Sequence, residues 1–156
     1  MVGHLLEVPV TRHDRWPEEP ADDAPLLVTG LHHVRLPVTD PERSRDWYVQ
    51  VGGFVPVLDY EQEHGVVGVV CRHPSGLVIG LHQDPDRAAA LSGFAVLSLA
   101  VATPEDLERW VGRLDRSSIA HGPIEQGHLG PYLEVPDPDG IVVRFHGGPL
   151  PYVEEA

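Results

Sequence analysis

The chain has 156 residues, 42% apolar and 22% charged, a composition that folds and excludes wholesale disorder. Its 24 acids against 11 bases give a net charge of −13, which repels the nucleic-acid backbone and anionic membrane surfaces alike. No apolar run approaches the roughly 20 residues of a membrane-crossing helix, so neither a nucleic-acid nor a membrane partner is expected.

Met1 to Glu7 lack a basic stretch and a long apolar stretch, so a secretory leader is not expected. Residues 1–30 carry Pro9, Pro17, Pro20 and Pro25, the acidic pairs Glu18-Glu19 and Asp22-Asp23, and little periodicity. They read as a partly ordered N-terminal surface arm rather than a lid. Cys71 is the single cysteine, so there is no intrachain disulfide and no cysteine-rich zinc site, and the expected compartment is the cytosol.

From Leu31 the chain repeats itself. A shift of 63 residues lays Leu36, Val38, Pro41, Glu42 and Trp47 on Leu99, Val101, Pro104, Glu105 and Trp110. A shift of 64 lays His73-Pro74-Ser75-Gly76 on Asp137-Pro138-Asp139-Gly140, and His82 on His146. In the first copy Val34, Leu36 and Val38 alternate as a half-buried strand. Asp40 caps a helix with Pro41 at its first position. Ser44, Trp47, Tyr48 and Val51 form its inward stripe, and Gly52-Gly53 ends it. Strands are expected at 54–60, 66–73 and 77–83. In the second copy Ala95, Leu97, Leu99 and Val101 form the strand, and Thr103-Pro104 starts the helix. Leu107, Trp110, Val111 and Leu114 form its stripe, with strands expected at 119–126, 129–136 and 141–147.

The fold class is therefore α+β, with paired βαβββ modules (31–84 and 93–147) in one domain over 31–147, and 148–156 as a C-terminal tail. Neither module buries its sheet alone. Together they are expected to make a cup-shaped eight-stranded mixed sheet with a ligand site in the cup.

His33-Val34-Arg35-Leu36-Pro37-Val38, Asp46-Trp47-Tyr48 with Gly52-Gly53-Phe54, and Asp137-Pro138-Asp139-Gly140, in that order on a βαβββ duplication, resemble the vicinal oxygen chelate superfamily. This is the group of glyoxalase I, extradiol dioxygenases, fosfomycin-resistance enzymes and bleomycin-resistance proteins. The resemblance implies metal ligands, usually His or Glu, on four inward positions, and it implies a homodimer. Carried onto this chain, those positions are His33, Val96, Gly80 and Arg144, so one donor of four remains. Arg144 is a permanent cation and would repel a divalent ion. The expectation is a degraded metal site and no cofactor. The alternative is a displaced site for Zn, Ni, Mn or Fe built on His33 and His82 or His146 with Glu134. Two residues along a strand is about 6.5 Å, long against a metal–ligand bond of about 2.0–2.2 Å.

Strand alternation sends Arg35, Gly80, His82, Ser98, Arg144 and His146 into the cup with His33. Phe94 and Val96 would give apolar walls, Ser98 a hydroxyl and His146 a rim imidazole. An inward Arg needs a negative partner, either a protein carboxylate such as Glu134 or Asp59, or an anionic ligand. His32 is expected on the opposite face, and His64, His73, His121 and His128 at exposed turns and strand ends. Three functions stay open: sequestration of an organic small molecule, anions included, without metal; metal-free chemistry with His33 or His82 as base and Arg144 stabilising an enolate; and a metal-dependent lyase, isomerase or dioxygenase.

Overall fold

A computed structural model describes residues 28–151, and Leu31–Pro151 form one compact unit. Most of the expected arm (1–27) and the end of the tail (152–156) lie outside the described residues. The first module runs β1 (Val34–Val38), α1 (Pro41–Gly52), β2 (Val55–Gln62), β3 (Gly65–Arg72) and β4 (Val78–Gln83). After α2 (Pro85–Leu91), the second runs β5 (Ala95–Val101), α3 (Asp106–Arg116), β6 (Ile124–Gly127), β7 (Gly130–Pro136) and β8 (Val142–Gly147). The eight strands form two four-stranded mixed sheets of like order, β1-β4-β3-β2 and β5-β8-β7-β6, with β1–β4 and β5–β8 parallel.

The caps explain the helices. The Asp40 carboxylate accepts the amides of Glu42 and Arg43, Pro41 opens α1, and Gly53 closes it in the left-handed region at φ 72°. Thr103 and Asp106 cap α3 reciprocally, each side chain accepting the other's backbone N–H. Helix α2 is not among the sequence expectations. Asp84 and Pro85 start it as Asp40 and Pro41 start α1, with the Asp84 carboxylate accepting the amide of Arg87. Strand β6 is shorter than expected. Residues 117–122 instead finish α3, Ile119 bonding back to the Leu114 carbonyl and Gly122 to Glu134, and Pro123 breaks the approach.

Both modules feed one core. Leu36, Tyr48, Phe54, Ile79 and Leu81 pack with Leu107, Leu133, Val143 and Phe145, and Trp110 stacks on Phe145 at 4.5 Å. The junction is polar at its heart. Buried Tyr48 of α1 donates to the Asp137 carboxylate at 3.0 Å. Thr39 bonds Asp139, and Arg113 of α3 reaches the Gln50 carbonyl at 2.7 Å. Strand β2 is exposed along its whole length.

Candidate functional site

The open face of the first sheet carries a hollow of about 380 Å³. β1 and the residues before it supply His32, His33 and Arg35; β4 supplies Val78, Gly80 and His82; β3 and β2 supply Val70, Leu58 and Tyr60. Register explains the gathering. Arg35 lies beside Gly80 across the parallel pair, and Gly68 and Val70 lie opposite His82 and Gly80 across the antiparallel pair.

The His82 ring lies between two glycines. A Cβ on Gly80 would stand 3.2 Å from His82 Nε2 and 3.6 Å from His33 Cδ2, and one on Gly68 would stand 3.6 Å from His82 Nδ1 and 3.4 Å from Tyr60. Both glycines are buried, covered by the His82 ring with the His33 imidazole and the Tyr60 phenol beside it. Burial, then the charges of Arg35 and His33, lower the pKa of His82, so the ring is neutral at neutral pH. His32 corrects the expectation of an opposite face. Strand β1 begins at Val34, so alternation does not govern residues 32 and 33; their rings meet edge to face, one Nδ1 donating to the other at 2.7 Å.

The second sheet presents different chemistry. Ser98 and His146 line a separate hollow of about 280 Å³ with Leu99, Ala100, Leu129 and Leu150. Burial, then the Arg144 charge, lower the pKa of His146. Arg144 is engaged within the chain. Its Nε and a terminal nitrogen donate to Glu134 at 2.9 and 2.8 Å, and its guanidinium lies 4.4 Å from the Tyr132 ring centre. Asp59 sits beside Arg45, at 3.9 Å, not beside Arg35 or Arg144.

Of the expected cup residues, the structure brings together His33, Arg35, Gly80 and His82, and separately Ser98 and His146. Val96 lines neither hollow: the β5–β8 register slips between Ala95 and Leu97, and Val96 packs against the core. Phe94 precedes β5 and is 64% exposed. His121 is half-buried rather than exposed, donating to Asp115 at 2.8 Å and to the Gly122 carbonyl at 2.6 Å, which raises its pKa. Tyr60 and Leu58 were not foreseen as lining; the register of β2 against β3 carries two shifts, so alternation alone does not place them.

Few donors meet at the family's ligand positions among the described residues. Of the four family positions, His33 alone offers a lone pair, Glu134 of the displaced set is held by Arg144, and among the described residues no three His, Cys, Asp or Glu side chains converge.

A family model described as the Glyoxalase/Bleomycin resistance protein/Dioxygenase superfamily matches residues 30–145. No curated protein sequence matches the chain. A glyoxylase/bleomycin resistance protein/dioxygenase domain from Frankia sp. EAN1pec is 22% identical, with TM-score 0.60 over 79% of this chain and 100% of that one. TnmS3, an antibiotic binding protein from Streptomyces sp. CB03234, is 22% identical, with TM-score 0.64 over 80% and 99%. A mutant of the fosfomycin resistance protein FosX from Listeria monocytogenes, solved with Mn(II) and 1S,2S-dihydroxypropylphosphonic acid, is 14% identical, with TM-score 0.65 over 81% and 97%. At these identities the likeness is one of fold.

Proposed function

The chain belongs to the glyoxalase, bleomycin-resistance protein and dioxygenase superfamily, and from that premise we propose that it holds a small organic molecule on the open face of its first sheet without a metal ion. One observation carries the reading. The hollow combines apolar walls with a few convergent polar groups, His33, Arg35, Tyr60 and His82, while the family's ligand positions retain one donor. TnmS3, an antibiotic binding protein, supports small-molecule binding as a role for this fold. Any chemistry would be proton transfer, with His82 or His33 as base. Ser98 and His146 would contact the ligand only if it also reached the second hollow.

The Mn(II) in the FosX complex favours the alternative of metal-dependent chemistry, although His33, His82 and Glu134, the ligands expected for it, do not converge. A homodimer is part of the proposal, with a second copy covering β2, whose Val55, Val57, Leu58 and Tyr60 are exposed. So is a cytosolic setting, in which the buried Cys71 stays reduced.

Elemental analysis of protein purified without a metal column tests the reading. The expected result is no stoichiometric Zn, Ni, Mn or Fe and no shift in Tm on adding those ions. Stoichiometric metal lost with its activity on His33→Ala overturns it.

A further inference from the structure

The first hollow is acid-free in an acidic molecule. The chain carries −13, yet the lining holds one guanidinium, three imidazoles and a phenol with no carboxylate. Arg45, Arg87, Arg109 and Arg144 meet carboxylates and Arg43 and Arg113 reach carbonyls, while Arg72 and Arg116 are exposed away from the hollow. Arg35 has no hydrogen-bond or ion-pair partner among the described residues and points into the hollow.

We propose that the ligand of this hollow is a planar organic monoanion, an aromatic carboxylate, whose acidic group pairs with Arg35 while its ring lies against the His82 ring seated on Gly68 and Gly80. This rests on the preceding reading that the hollow holds a small molecule, and it adds the chemical class.

The charge follows from Arg35. A guanidinium presents paired N–H donors that match a carboxylate, and a single free cation suits a single negative charge. A phosphate ester would ask for more, and the lining offers no second Arg, no Lys and no helix N-terminus. A cationic ligand would meet Arg35 with nothing to offset it. The neutral His82 ring donates from one nitrogen and accepts at the other, so it can bond a ring substituent without adding charge.

The flatness follows from the glycines. Gly68 and Gly80 lack the side chains that would lift the His82 ring, so that ring lies against both, with His33 and Tyr60 beside it, and leaves a flat imidazole surface in the lining. About 380 Å³ falls at the lower end of small-ligand sites. The second hollow has no arginine in its lining, and Arg144 of the same sheet is paired with Glu134.

The experiment uses three molecules of one shape and three charges: benzoate, benzamide and benzamidine. Binding to the full chain is followed by imidazole NMR shifts and calorimetry at fixed salt. Benzoate is expected to shift His82 and His33 and to bind at least tenfold more tightly than benzamide, with benzamidine weakest. Arg35→Gln, at an exposed position, should weaken benzoate at least tenfold with Tm unchanged, and Arg144→Gln should leave it within twofold. Gly80→Ala, whose Cβ meets only movable rings, should weaken benzoate and leave the fold intact. Benzamide or benzamidine binding as tightly as benzoate overturns the anion assignment and leaves small-molecule binding standing. Benzoate affinity indifferent to Arg35→Gln removes Arg35 as the anchor, and indifference to Gly80→Ala removes the ring's seat. No imidazole shift with any of the three overturns both this inference and the reading beneath it.

Discussion

Replacing Asp137 by Ala removes the acceptor at the centre of the module junction. Its Oδ1 accepts the amides of Asp139 at 2.8 Å and Ile141 at 3.0 Å, and its Oδ2 accepts the Tyr48 hydroxyl at 3.0 Å. Tyr48 is 1% exposed and Asp137 5%. Two of those donors, the Ile141 amide and the Tyr48 hydroxyl, would be stranded away from water at about 1–3 kcal/mol each. The Asp139 amide is nearer solvent and adds little. Relief of a partly desolvated carboxylate runs the other way. The net expectation is a loss of about 3 kcal/mol, or roughly 10 °C in Tm. Asp137→Asn keeps the oxygen that serves both amides, and the Tyr48 hydroxyl can turn to accept from the new amide, so its loss should stay below about 1 kcal/mol.

Burial raises the Asp137 pKa above its ordinary value, although its hydrogen-bond donors pull it back. Its ionisation therefore opposes folding: this contribution is fully favourable below the unfolded carboxylate value and is lost as pH rises through the folded one. The stability of wild type relative to Asp137→Asn should accordingly decline as pH climbs across that window. Urea unfolding followed by tryptophan fluorescence, with an unchanged m-value, measures all three. A loss under about 1 kcal/mol for Asp137→Ala, or equal losses for Ala and Asn, would refute the view that the stranded donors set the cost.

Arg144→Gln should lower stability by under about 1 kcal/mol in urea unfolding, because its pair with Glu134 is about a third exposed. Burial pushes the Cys71 thiol up to about 11, so the native protein should resist a disulfide reagent at pH 8 and react only as it unfolds, read as thiolate release against urea. In an NMR titration His82 should titrate below the ordinary imidazole value and His121 above it, and Arg35→Gln should bring His82 back upward while leaving His121 in place. Gly140→Ala should destabilise by about 1–3 kcal/mol, since φ is +79° there and the new methyl would collide with the Ser92 hydroxyl; thermal melts check it.

The fold was legible because its signals are local and doubled. The capping residue followed by Pro (Asp40-Pro41, Thr103-Pro104), the stripe on α1 and the Pro-x-Gly turns recur at near-fixed spacing, and a repeated pattern is hard to produce by accident. Helix α2 carries the same Asp-Pro start but spans only seven residues, too few for a stripe to show. Side-chain direction was legible only inside regular strand. It failed at His32, before β1 begins, and at Val96, where a bulge takes one residue out of step. Both are tertiary choices that alternation cannot foresee. Glu134 was one of two carboxylates expected to meet an inward arginine, and counting outward from the Pro138-Asp139-Gly140 turn, which sets Glu134 opposite Arg144 in the β7–β8 hairpin, would have chosen it over Asp59. The gathering of His33, Arg35 and His82 in one hollow with Tyr60 needed the pairing of four strands, which no single segment encodes.

Gly80 gives the first sheet an unusual evolutionary reach. Glycine codons lie one base from those of aspartate or glutamate, and a side chain there would project between His33 and His82, whose rings already flank the spot at 3.6 and 3.2 Å. A single point mutation would set a carboxylate beside two imidazoles, the kind of trio that captures a divalent cation. Descendants of this chain could therefore gain such chemistry, and ancestors could have shed it, without disturbing the buried packing behind the sheet.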